Sequence, residues 1–162
     1  MLQWFLFVTF VVSFKRINMA TELIKSIAKS NSWTFTYGSG DWLNGVDYSS
    51  EYRRDFEDRT IHCLLYTVSK NESYNDFGGL DSETYSCVLL MGVTSDFNDK
   101  DYNYKWENNI LPLIESKVSV LKKGLNSCNY TLTGSLSQKE FSNMFDNNLD
   151  GVTLEFTLTR SI

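Results

Sequence analysis

The chain is short of positive charge, of histidine and of paired cysteines, and each shortage excludes something. Lys and Arg number 15 against 20 Asp and Glu, a net charge of −5 over 162 residues. That balance opposes nucleic-acid binding by neutralisation of phosphates, which needs clustered cations. Only Arg53-Arg54 and Lys122-Lys123 cluster, and Asp55, Glu57 and Asp58 offset the first pair. Both pairs read as solvated faces. His62 is the only histidine and sits beside Cys63 in a strand-like run, so the two point to opposite faces and cannot share a metal. Cys63, Cys87 and Cys128 are widely spaced with no Cys-x-x-Cys. An odd count at that spacing reads as free thiols in a reducing compartment, with Cys87 in the core, and not as a disulfide frame. Two Asn-x-Ser/Thr triplets, at Asn71 and Asn129, have no other sign of secretion beside them.

Residues 1–14 (MLQWFLFVTFVVSF) are the longest apolar run. The run falls short of the roughly 20 residues that span a bilayer. As a signal peptide it lacks a basic start and a small-x-small cleavage site. We read residues 1–18 as a hydrophobic extension, either upstream sequence before a true start at Met19 or a short anchor with Lys15 and Arg16 on the cytoplasmic side. Starting at Met19 removes both of those cations and leaves a charge of −7. Residues 19–162 then form one domain, large enough and apolar enough (42%) to bury a core.

Within that domain, Leu23, Ile24, Ile27 and Ala28 recur at helical spacing over residues 21–30, with Thr21 as N-cap and Lys25 and Lys29 outward. Residues 32–37 alternate as a strand carrying Trp33, Phe35 and Tyr37 on one face, and Gly38-Ser39-Gly40 breaks it. Residues 42–58 form a long polar excursion. Residues 60–69 and 84–94 are apolar on both faces, as central strands covered by helices are. The polar link 70–83 reads as a long hairpin loop. Trp106, Ile110, Leu113, Ile114, Val118 and Leu121 follow a helical period, with Asn108 or Asn109 expected as the cap so that Pro112 lies in the first turn. The helix should run to about Lys123 and stop at Gly124.

Residues 129–135 suggest a short edge strand with Leu132 inward. Ser137-Gln138-Lys139-Glu140 spells a capping box, predicting a short helix with Phe141, Met144 and Phe145. The last strand alternates Val152, Leu154, Phe156 and Leu158 with Thr153, Glu155, Thr157 and Thr159. The expected fold is α+β: a mainly antiparallel four- to five-stranded sheet packed by two main helices and one short one.

Chemistry-bearing motifs are few. Asp146, Asn148, Asp150 and Gly151 fit the opening of a calcium loop, D-x-[DN]-x-[DN]-G. The twelfth position, which should be a bidentate Glu, is Thr157, and a strand follows in place of a helix. The segment therefore reads as a turn with Gly151 at positive φ, a cation site at Asp146, Asn148 and Asp150 being the alternative. Gly38-Ser39-Gly40 and Gly78-Gly79 lack the Lys-Ser/Thr of a phosphate loop. No catalytic constellation and no cofactor site are expected. Aromatic and basic residues flanking the polar segments, Trp42, Tyr48, Tyr52, Arg53, Arg54, Tyr102 and Tyr104, are candidate interface anchors.

Four stretches carry a family resemblance. They are the first amphipathic helix; Arg59-Thr60-Ile61-His62-Cys63-Leu64-Leu65; Tyr104-Lys105-Trp106 with Ile110-Leu111-Pro112-Leu113-Ile114; and residues 143–152, Asn143-Met144-Phe145-Asp146-Asn147-Asn148-Leu149-Asp150-Gly151-Val152. In these, over about residues 19–162, the chain resembles the head–tail joining and tail-completion proteins of tailed bacteriophages, especially those of crAss-like phages. Fourteen asparagines against two alanines and one proline point to AT-rich coding, which suits such a source. The resemblance implies a virion structural protein without catalysis. Copies would form a homo-oligomeric ring at the neck or tail end, meeting other neck or tail proteins after assembly in the host bacterial cytoplasm. It implies no cofactor, no sequence-specific nucleic acid, and contact with a membrane only if residues 1–18 are genuine. Two rivals stand beside it: a membrane-anchored bacterial envelope domain, and a calcium-dependent binding module built on Asp146, Asn148 and Asp150.

Overall fold

Period-2 alternation in the sequence becomes the two faces of a single sheet. The computed structural model describes residues 19–38, 61–95, 101–126, 129–144 and 148–162. Helix α1 (Met19–Ser30) is followed by β1 (Thr34–Tyr37), β2 (Ile61–Tyr74) and β3 (Leu80–Thr94). A second helix, α2, covers residues 102–125, and β4 (Thr131–Met144) and β5 (Leu149–Ser161) close the chain. The five strands lie in the order β1-β2-β3-β5-β4. The α+β class is as expected, but the sheet is mixed: β1 runs parallel to β2, and the other three pairings are antiparallel.

Both helices pack on one face. Ile24, Ile27 and Ala28 of α1 and Ile110, Leu113, Val118, Leu121 and Leu125 of α2 meet Leu65, Leu89, Met91, Val152, Leu154 and Leu158 of the sheet. The alternation read in β5 holds: Val152, Leu154, Phe156 and Leu158 are buried, while Glu155 is exposed. Thr21 lies inside α1, which starts at Met19, and is buried there instead of capping it. The opposite face carries a smaller apolar cluster, Leu64 and Leu90 with Val88, Phe141 and Met144 against them.

Several expectations are overturned. The polar link 70–83 is strand, not loop, so β2 and β3 form one long hairpin closed by a turn around Asn75–Gly79. Polar side chains on an exposed hairpin mimic a loop, because only a buried face imposes apolar alternation. The capping box forms no helix: Gln138, Lys139 and Glu140 pair with Leu154, Thr153 and Val152 inside β4. Cross-strand pairing outweighs a four-residue capping signal worth about 1 kcal/mol. Phe145, expected on that helix, lies outside the described residues.

Helix α2 starts six residues before the expected cap. Asp101 is its N-cap, its carboxylate accepting from Asn103 N at 3.0 Å. Pro112 therefore sits in the interior, and wide π turns at Trp106–Ile110 and Leu113–Val118 flank it. Leu111 N donates to Trp106 O, five residues back. Widening the turn accommodates a residue that has no N–H and whose ring would crowd the carbonyl four residues earlier. The helix does not stop at Gly124 but continues to Leu125, where Asn126 closes it: Asn126 N donates to Lys122 O and Asn126 Oδ1 accepts from Leu132 N. Gly124 instead permits close packing, since a Cβ there would come 2.8 Å from Ile27 of α1.

Candidate functional site

The turn that spells half a calcium loop is one of two places where the described residues bury charge. Strand alternation fixes which way Asp150 faces. Being two residues before Val152, it shares that residue's inward face, and it is fully buried under α2. From above, Lys105 and Asn109 reach it from one helical stripe, four residues apart. Asn109 Nδ2 donates to Asp150 Oδ2 at 2.9 Å, and Lys105 Nζ lies 3.9 Å from the same oxygen. Asn143 N donates to Asp150 Oδ1 at 3.0 Å, while Asn143 Oδ1 accepts from Lys105 Nζ at 2.5 Å. Lys105 is 2% exposed, so the pair lies beyond the reach of solvent screening.

Asn148 adds a second clasp. Its Nδ2 donates to Ser95 O at 2.9 Å, and Ser95 N donates to Asn148 O at 3.0 Å, tying the start of β5 to the end of β3. Among the described residues of the turn, the left-handed positions are Asn143 (φ 54°) and Asn148 (φ 48°), not Gly151 as expected. Asn tolerates that region because its short side chain bonds locally. Gly151 serves another purpose. It pairs with Gly92 across β3–β5, and a Cβ on Gly151 would lie 2.0 Å from Met91 O. Phe141 pairs with Gly151 on the other side, and its ring extends toward Gly92. An aromatic thus covers a pair of glycines where the backbones approach too closely for side chains.

Asp150, one of the three candidate cation ligands, is already engaged. Both oxygens of Asp150 already accept hydrogen bonds, and the Lys105 ammonium occupies the position of the counter-charge. Among the described residues no group of His, Cys, Asp and Glu is arranged to hold a metal. Asp146, the first residue of the expected set, lies outside the described residues. Trp42, Tyr48, Tyr52, Arg53 and Arg54 lie outside them too. Tyr102 and Tyr104 are exposed at the start of α2, Tyr102 Oη donating to Glu140 of β4 at 3.4 Å.

The far end of the sheet holds a second buried charge, Glu83 of β3. Lys70 Nζ is 2.7 Å away, Tyr85 Oη donates to it at 2.9 Å, and Arg160 donates from β5 at 3.4 Å. Burial opposes ionisation of Glu83, but hydrogen bonds from Lys70 and Tyr85 and the charges of Lys70 and Arg160 outweigh it and hold the carboxyl below its ordinary value of 4.5. A depressed folded value contributes stability above the unfolded one, and that contribution is lost as pH falls through the folded value. Thermal melts from neutral pH to below 4.5 should therefore show a steep acid loss that is shallower in Glu83→Gln. Identical acid slopes in the two proteins would remove Glu83 from the account.

Neither buried thiol can serve as a nucleophile at neutral pH. Burial pushes both Cys63 and Cys87 up to about 12. Native alkylation at about pH 8 should leave these two unmodified until the chain is unfolded. Rapid labelling of Cys87 in the folded protein would contradict its place in the core. His62 is half-buried on the face opposite the helices, next to Leu64 of the small apolar cluster.

Asn109, Ser95 and Glu83 were not singled out from the sequence as site residues, and Lys105 and Asn143 entered only within the stretches that carry the resemblance, yet a signal was there. Asp150 and Glu83 both fall on the inward register of their strands, and Lys105 interrupts an apolar helical stripe. Among the described residues, no helix is long and apolar enough to cross a membrane. No protein-family model matches the chain, and no curated protein matches it.

Proposed function

We propose that the chain is a non-enzymatic structural protein of a tailed-phage virion, assembling as a homo-oligomeric ring at the head–tail junction or the tail end. One observation carries this reading. Two of the stretches on which the resemblance rests, Tyr104-Lys105-Trp106 and residues 143–152, are far apart in sequence but meet in one buried joint through Lys105, Asn143 and Asp150. Residues that resemble a family motif are thus spent on architecture, fixing helix, turn and strand to one another. A rigid sheet with a fixed register suits a subunit that must present the same edges to identical neighbours. The exposed aromatics Tyr102 and Tyr104 support the same reading, since aromatic side chains anchor interfaces. The acidic net charge suits an inner surface past which DNA slides without sticking.

The neighbouring genes test the assignment cheaply. Portal, capsid and tail genes on either side are the expected result. A neighbourhood of envelope or metabolic genes alone would overturn it.

A further inference from the structure

Phe77 is 98% exposed, and the next most exposed large apolar side chain among the described residues, Ile162, reaches 61%. The phenyl ring stands at the tip of the β2–β3 hairpin, and the tip is built. Asn75 Oδ1 accepts from Phe77 N at 3.1 Å and from Gly79 N at 2.9 Å. Asn75 N donates to Gly79 O, Gly78 N donates to Asn75 O, and Gly78 takes a φ of +76° that side chains disfavour. The backbone that carries the ring is fixed on folding, so docking would cost the rotamer freedom of one side chain and little backbone entropy.

Charge narrows the choice of partner. Asp76 and Asp81, both exposed, are the acids nearest to Phe77 along the hairpin. Two acids beside an apolar wedge are repelled by an anionic lipid surface. They suit an apolar spot set between cations on a protein. Helix α2 offers such a spot: Lys117, Val120 and Lys123 follow at intervals of three along one stripe, with Val120 and Lys123 exposed. A groove of about 420 Å³ on the helix-free face is the other candidate, but Glu155 lines it and repels the acids of the tip.

We infer that the hairpin tip of one copy docks on the α2 stripe of a second copy, with Phe77 on Val120 and the acids of the tip facing Lys117 and Lys123. This rests on the ring reading above and names the surfaces that would build it. Because the two surfaces differ, the contact is heterologous, and repetition closes a ring when the rotation permits.

Sedimentation of the full chain over a concentration series tests it, using Phe77→Ser, Asp76→Lys, Lys123→Asp and the double charge reversal. All three positions are exposed, so thermal melts of the four variants should match the parent and certify folding. Phe77→Ser should weaken association at least about thirty-fold, the loss expected of an interface hot spot. Each single reversal should weaken it, and the double reversal should recover most of the loss. Association unchanged by Phe77→Ser, or no recovery in the double variant, would overturn the docking while leaving the ring reading intact. A parent chain that stays monomeric throughout would overturn the ring reading and this inference with it. Binding to anionic vesicles that depends on Phe77 would also overturn the inference, by identifying a membrane as the occupant.

Discussion

Asp150→Ala is expected to cost about 3–5 kcal/mol of folding stability, the range for removing one partner of a buried ion pair. The loss has two parts. Lys105, 2% exposed, would lose the one carboxylate it is paired with in a site closed to water. Asn109 Nδ2 and Asn143 N would each lose their acceptor in a dry site. Stability of the whole domain is of order 5–15 kcal/mol, so the variant is expected near the edge of folding. Asp150→Asn keeps an acceptor and the shape while losing the charge, and should fall between parent and alanine variant. Lys105→Met should also destabilise, and the Lys105→Met/Asp150→Ala double should cost less than the two singles together. Coupling of about 0.5–3 kcal/mol is the signature of a shared network. Urea unfolding with an unchanged slope measures all of these. An Asp150→Ala variant within about 0.5 kcal/mol of the parent, the range of an ordinary surface change, would remove the joint from the account.

Gly151→Ala ranks second. The added methyl would meet Met91 O at 2.0 Å and the Gly92 Cα at 2.6 Å. Neither is the end of a flexible side chain, so the central β3–β5 pairing itself must part. Overpacking typically costs 1–3 kcal/mol where side chains can yield. Here backbone must yield, and about 3 kcal/mol or more is expected, a fall in midpoint of roughly 6–12 °C for a chain of this size. Gly92→Ala makes a graded control. Its Cβ would meet Asp150 O and the Leu149 Cβ at 3.3 Å, a contact that a few tenths of an ångström relieves. Its loss should be clearly smaller. Equal losses at the two positions would mean that the close approach at Gly151 is not what the fold depends on.

These two residues also show what the sequence could and could not convey. The strand after Gly151 was legible because one face is buried, and burial writes alternation into residues. The role of Gly151 was not. A glycine after Asn and Asp reads as a turn, whereas here it marks a close approach of two strands distant in sequence. The same limit hid the second half of β4, whose first residues were expected as an edge strand with Leu132 inward. A capping box is local, and nothing in residues 137–140 announces the β5 partner that holds them extended. Pro112 misled by the reverse route, since the rule against interior proline assumes a regular α-helix and α2 is widened around it. The parallel pairing of β1 with β2 leaves no mark in the four residues of β1. The buried polar joint was half legible: inward-facing Asp150 signals a partner, but only the packed helix identifies Lys105 and Asn109.

The central claim is that this domain is a building block whose copies close on themselves. The most direct measurement is the mass and shape of the purified full chain in solution, by light scattering together with electron microscopy of the same sample. The account predicts closed rings of one uniform copy number, in equilibrium with single copies on dilution. A single copy at every concentration, with no ring in any field, would contradict it.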